Sequence, residues 1–130
     1  MNISTNTMIN GDIFWNDAVL KDLEPVSLKH GDFELYQDAP RSFFDSLTRS
    51  AEKFPDKVCI VDDNGTPYTY GQFLDMTEDF SRVLFHRYGV RPRSRIGLLL
   101  YNSIEFCVAF YAINRLNAAA VPLSTKYRKQ

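Results

Sequence analysis

Glycine is scarce in this sequence of 130 residues. Its six glycines, Gly11, Gly31, Gly65, Gly71, Gly89 and Gly97, are never closer than six positions. That spacing excludes the dinucleotide fingerprint and the P-loop, whose glycines must crowd around a phosphate. Histidine and cysteine are sparse too, with two of each. His30 and His86 stand far apart, and neither HExxH nor CxxC occurs, so zinc-ligand spacing is missing. Cys59 and Cys107 lie in apolar stretches and read as small core residues in preference to a disulfide or metal pair. Serines are numerous, yet none sits in a G-x-S-x-G elbow. Long apolar runs are also missing. Asn102, Glu105 and Arg115 interrupt the most apolar region, so no transmembrane segment is expected. The opening MNISTNTMINGD has neither a basic head nor an apolar run, which predicts no signal peptide and a cytoplasmic, reducing compartment.

The net charge of −1 conceals a segregation. Residues 1–80 hold six Lys/Arg against fifteen Asp/Glu, whereas residues 81–130 hold nine Lys/Arg against Glu105 alone. A basic half can bind polyanions. It can equally attract the acidic half, or the complementary part of a larger protein. At 45% hydrophobic and 14% aromatic, the chain has material for a core. A chain this long makes one domain at most, or a piece of one.

The organising stretch runs from Arg95 to Ser124 and reads strand, helix, strand. Ile96, Leu98, Leu99 and Leu100 suit a strand buried on both faces. Ile104 to Leu116 is apolar almost all round, the pattern of a central helix. An Asn102 N-cap would put Glu105 in capping-box spacing. Ala118 to Leu123 returns as a strand, and a right-handed βαβ unit is the default connection.

Upstream, residues 1–37 carry isolated apolar groups and read as an extended N-terminal segment, with a short helical turn near 16–23. Phe43, Phe44, Leu47, Ala51 and Phe54 then fall at helical spacing before Pro55. Lys57–Asp62 and Thr66–Tyr70 read as a hairpin whose Asn64-Gly65 turn favours positive backbone angles. The turn also accounts for Asp62 and Asp63 without catalysis. Thr69 and Gln72 form a capping box, and Gly89 ends that helix. Phe73, Thr77, Phe80, Leu84 and Tyr88 mark its packing face. Five arginines, Arg82, Arg87, Arg91, Arg93 and Arg95, crowd around its end. Nucleic-acid patches interleave such cations with exposed aromatics. With Tyr88 assigned to packing, no nucleic-acid partner is expected.

The motifs have a recognisable order. Pro55-Asp56-Lys57-Val58 leads into Tyr68-Thr69-Tyr70-Gly71-Gln72-Phe73. Then follow Arg95-Ile96-Gly97-Leu98, Asn102-Ser103-Ile104-Glu105-Phe106 and Ala118-Ala119-Ala120-Val121-Pro122-Leu123. This succession resembles the opening of AMP-forming acyl-CoA synthetases, members of the adenylate-forming, AMP-binding superfamily. It covers roughly 43–127. Arg93-Ser94 stands where the family usually has Gly-Asp, Asn117-Ala118 where it has Gly-Ala, and Ile104 where it has Pro. The resemblance implies an α/β fold with a partial mixed or parallel sheet, a βαβ unit and flanking helices. Residues 38–130 would be an incomplete piece of the synthetase-like domain. For a full-length member the resemblance implies ATP, Mg²⁺ and CoA, with carboxylate adenylation followed by thioester formation. The family's Ser/Thr/Gly-rich loop, later acidic motifs and catalytic lysine have no match here. No catalytic or metal-binding residue is therefore expected, and no adenylation by this chain alone. Lys126 alone matches a position where some members place a basic group near the CoA phosphates. Three readings stay open: an N-terminal fragment of such a ligase; an interaction module docking on a synthetase remainder or another copy through an exposed sheet edge; and a polyanion-binding module.

Overall fold

The computed structural model describes residues 7–9, 12–14, 23–29, 31–36 and 38–126. The chain divides into two compact units, Met1–Ala39 and Pro40–Gln130. In the first, β1 (Thr7–Ile9) pairs antiparallel with β2 (Asp12–Phe14), and β3 (Leu23–Leu28) with β4 (Gly31–Tyr36). Local ladders thus form where the sequence shows only scattered apolar groups. Pro25 lies inside β3, opposite Glu34, and Gly31 opens β4 opposite Leu28. The helical turn expected near 16–23 lies outside the described residues, except that Leu23 opens β3.

The second unit begins with α1 (Phe43–Lys53), capped by Ser42, whose hydroxyl accepts from the Asp45 amide at 3.0 Å. The hairpin follows as β5 (Val58–Val61) and β6 (Pro67–Thr69). In its turn Gly65 alone takes a positive φ, +87°, and its amide donates to the Asp62 carbonyl at 3.1 Å. This is a type I turn closed by a left-handed glycine, not the doubly left-handed turn that Asn-Gly suggests. Asp62 Oδ1 accepts from the amides of Asn64 and Thr66, so the turn does use this carboxylate as a local cap.

Helix α2 (Tyr70–His86) carries the anticipated capping box: Thr69 Oγ1 accepts from the Gln72 amide at 3.2 Å, and Gln72 Oε1 from the Thr69 amide at 2.9 Å. Gly89, at φ +66°, turns the chain beyond its end. The buried stripe differs from the one read from periodicity. Phe73, Thr77, Ser81 and Leu84 are buried, whereas Phe80 is partly exposed and Tyr88 is 65% exposed. The reason lies on the neighbouring helix, where Arg115 Nη1 donates to Ser81 Oγ at 2.9 Å and draws that polar face inward.

The strands β7 (Arg95–Leu98) and β8 (Ala119–Pro122) pair in parallel, Arg95 opposite Ala119 and Leu98 opposite Pro122. Helix α3 (Ile104–Arg115) connects them. It is the central helix: Ile104 and Val108 join Leu47 and Phe73 in one core cluster, while Ala109, Ala112 and Ile113 join Leu84, Val90 and Leu98 in the other. Its cap is Ser103, one residue later than expected, accepting from the Phe106 amide at 3.4 Å. The shift makes buried Ile104 the first helical residue. Burial of β7 on both faces is not found. Leu98 is buried, but Gly97 and Leu99 are exposed, so among the described residues the strand is covered on one face. Among the described residues, pairing within this unit comprises two separate two-stranded sheets, antiparallel β5–β6 and parallel β7–β8.

Two left-handed residues close the βαβ unit. Arg93 has φ +69° and Asn117 φ +53°, and the Arg93 amide donates to the Asn117 carbonyl at 2.8 Å. These are two of the positions at which the sequence departs from the synthetase pattern, each at a place where that pattern has glycine. Glycine adopts such angles freely, asparagine with little penalty and arginine with more.

Candidate functional site

In a parallel sheet, ligands collect beyond the carboxyl ends of the strands. Here that region is a groove of about 600 Å³, lined by Leu100, Tyr101, Asn102 and Phe106 on one side and by Ser124 and Lys126 on the other. The Leu123 amide donates to the Leu98 carbonyl at 2.8 Å, carrying the β7–β8 ladder to the groove's edge. Past it the Lys126 amide donates to Ser124 Oγ at 3.2 Å, a short turn that presents the exposed lysine. The groove thus offers one cation, three hydroxyl side chains (Tyr101, Ser124 and Thr125) and an amide. Such a set can hold an anionic group at its rim. It contains no acid–base pair and no activated nucleophile.

Other candidates are placed as follows. Cys59 and Cys107 are both free and line one cavity of about 280 Å³ with Ser46, Ser50, Tyr70 and Tyr111. Burial pushes both thiols up, and Cys59 Sγ donates to the Tyr68 carbonyl at 3.4 Å. A raised thiol is a poor nucleophile and a poor metal ligand, in keeping with packing residues. No group of three or more His, Cys, Asp or Glu side chains among the described residues is arranged to hold a metal ion. No described helix is long and apolar enough to cross a membrane. Glu105 sits in the first turn of α3, where its hydrogen bond with Ser103 draws its carboxyl below the ordinary range.

Three of the five arginines are engaged locally. Arg82 is paired with Glu78 and Asp79 on its own helix. Arg91 lies 4.0 Å above the Phe85 ring and donates to the carbonyls of Phe85 and Val90 at 3.0 and 2.9 Å, closing the end of α2. Arg87 stands over the Tyr88 ring at 5.7 Å. Tyr88 is therefore a surface residue beside a cation, not the packing residue that the helical spacing suggests. An apolar groove between α2 and α3 was not evident from the sequence. Only the inversion of Phe80 and Ser81, one turned out and the other in, exposes it.

The chain belongs to the AMP-binding enzyme family, whose model matches residues 47–130. It is 30% identical over 95 residues to the medium-chain fatty-acid–CoA ligase of Escherichia coli, covering 73% of this chain and 16% of that protein. It is 34% identical over 80 residues to the 2-succinylbenzoate–CoA ligase of Oceanobacillus iheyensis, covering 62% of this chain and 16% of that one. Among solved structures, the inhibitor-bound N-terminal domain of FACL13 from Mycobacterium tuberculosis matches with a TM-score of 0.63 at 30% identity, over 66% of this chain and 22% of that domain. The N-terminal subdomain of NpsA from Klebsiella oxytoca, at 17% identity, shares the fold with a TM-score of 0.65, over 71% of this chain and 24% of its own. The chain thus corresponds to an N-terminal portion of enzymes of this family and spans about a sixth of the length of these curated relatives.

Proposed function

We propose that this chain is the N-terminal platform of an AMP-dependent acyl-CoA synthetase. The reaction it serves joins a carboxylate to ATP as an acyl-adenylate, releasing pyrophosphate, and then passes the acyl group to the CoA thiol. The observation that carries this reading is the parallel β7–β8 pair with its crossover helix, within the stretch matched to the AMP-binding family. A fatty acid is the substrate class favoured by the medium-chain ligase and by the long-chain ligase FadD13 of M. tuberculosis, 38% identical over 58 residues. Residues 1–37 are an appended segment, and 38–130 the synthetase-like portion, working in the cytoplasm. Its partner is the remainder of such a synthetase, seated on the face of β7–β8 where Leu99, Val121 and Leu123 are exposed.

The residues present do not fit ATP and Mg²⁺: glycines are widely spaced, and no carboxylate cluster is arranged for a cation among the described residues. No step through those groups is assigned to this chain. CoA fits to a lesser extent, because Lys126 at the groove rim can pair with a nucleotide phosphate while Ser124 and Asn102 offer hydrogen bonds.

The test has two arms. The purified chain is assayed for carboxylate-dependent ATP–pyrophosphate exchange with medium- and long-chain fatty acids, and none is expected. Residues 43–126 are then grafted in place of the matched segment of FACL13, and the chimera is expected to retain exchange. Lys126→Ala in that chimera should raise the KM for CoA and leave exchange unchanged. Exchange by the chain alone would sink the non-catalytic assignment. A folded chimera that activates no carboxylate would sink the platform.

A further inference from the structure

The cavity that holds the two cysteines shares no residue with the groove beyond β7–β8. It is a space of about 280 Å³ where α1, β5, α2 and α3 converge, and none of its nine lining residues is exposed. Leu47, Ile60 and Phe73 form its apolar wall, and side chains bearing hydroxyl or thiol groups line the rest. Close-packed cores hold few voids larger than a water molecule, and about 150 Å³ suffices to host benzene. This cavity therefore has room for a substituted aromatic ring.

We propose that this cavity binds a small neutral aromatic molecule bearing one hydroxyl group, of the phenol class. Three features of the lining select that chemistry. The first is its lack of charge. No lining residue is acidic or basic, so a buried ion would lose its hydration and meet no counter-charge. Burial pushes the Cys59 and Cys107 thiols and the Tyr111 hydroxyl up, and Cys107, Tyr70 and Cys59 beside that hydroxyl raise it further, so these groups stay protonated at neutral pH. The second is aromatic surface. Phe73 and Tyr111 meet edge to face with centroids 5.1 Å apart, an arrangement that a third ring can extend. The third is unused hydrogen-bonding capacity. Ser50 Oγ and Cys59 Sγ are occupied, donating to the Ser46 and Tyr68 carbonyls at 2.8 and 3.4 Å. Neither the Tyr70 nor the Tyr111 hydroxyl has a hydrogen-bond partner among the described residues. Each can donate or accept, so a ligand hydroxyl can give a proton to one and take one from the other. The site does not depend on the synthetase assignment, because none of its residues belongs to the groove proposed for CoA.

The full chain is titrated calorimetrically with p-cresol and with p-toluate, its carboxylate counterpart. p-Cresol should bind at one site, and p-toluate about tenfold more weakly or worse, since it would bury an unpaired charge. Bound p-cresol should slow alkylation of Cys59 and Cys107 by iodoacetamide in proportion to occupancy, read at each cysteine by mass spectrometry. Tyr111→Phe keeps the ring and removes one hydrogen bond, so binding should weaken about three- to tenfold. Ser50→Leu fills the space from α1 and should abolish binding with the circular dichroism spectrum unchanged. If that variant does not fold, Tyr111→Phe and the protection of the thiols decide. No heat of binding up to the solubility limit of p-cresol would overturn the proposal and leave a void holding water alone. Equal affinity for p-toluate, thiols left unprotected, or undiminished binding by Tyr111→Phe would overturn it as well.

Discussion

Arg93 is an exposed arginine held at φ +69°, and replacing it with glycine should stabilise the chain. A left-handed conformation costs an ordinary L-residue about 1–2 kcal/mol through the clash of its Cβ with the following carbonyl. Glycine escapes that clash but gives back about 0.5–1 kcal/mol in unfolded-state entropy. The net gain is about 0.5–1 kcal/mol. Little offsets it, because Arg93 has no ion pair among the described residues and its amide bond to the Asn117 carbonyl is backbone, retained in the variant. Asn117→Gly is the internal control. It removes a residue that tolerates the left-handed region, so its gain should be smaller. Urea unfolding read by circular dichroism would show a raised midpoint for Arg93→Gly with an unchanged slope, and thermal unfolding a rise of about 2–6 °C. An Arg93→Gly protein no more stable than Arg93→Ala would refute the reasoning, because alanine keeps the Cβ and hence the strain.

Ile113→Ala should cost about 3–4 kcal/mol, from three lost carbon groups at about 0.8 kcal/mol each plus the cavity left in a site with no exposure, and urea titration reads it directly. The half-buried Phe106 and Phe110 should each cost less than a fully buried phenylalanine, measured the same way. Thr69→Ala should cost about 1 kcal/mol by removing one half of the capping box, and Thr69→Ser should recover most of it. Asp45 has its carboxyl drawn below the ordinary range by the Arg41 amide, aided by Arg49, so its contribution is present above the unfolded-state pKa and fades as pH falls through the folded one. Asp45→Asn should therefore lose part of the stability seen at neutral pH and flatten the decline below about pH 4.

Elements whose cause is local were legible. The Thr69–Gln72 box depends on side chains reaching amides three residues away, and the left-handed turn at Gly89 on a missing Cβ, so both stand where the sequence puts them. The α3 cap falls one residue beyond the expected position because Asn102 and Ser103 are both good caps. The choice fell to whichever register buries Ile104 against Leu47 and Phe73. The exposed face of α2 departs from the expected one for a related reason. Apolar residues cover a wide arc of that helix, and periodicity alone does not say which side of a wide arc meets a neighbour.

The order of apolar runs, caps and turn residues by itself determined an α/β chain with a parallel strand–helix–strand unit, since each of those signals acts within a few residues or along one period. Tertiary structure alone decided that Ser81 is buried beneath Arg115 while Phe80 faces out, that β7 is sheltered on one side, and that Arg93 and Asn117 meet through a backbone hydrogen bond. Each of these depends on partners distant in sequence, and the free energy of burial is set by the neighbour that arrives and not by the residue that waits for it.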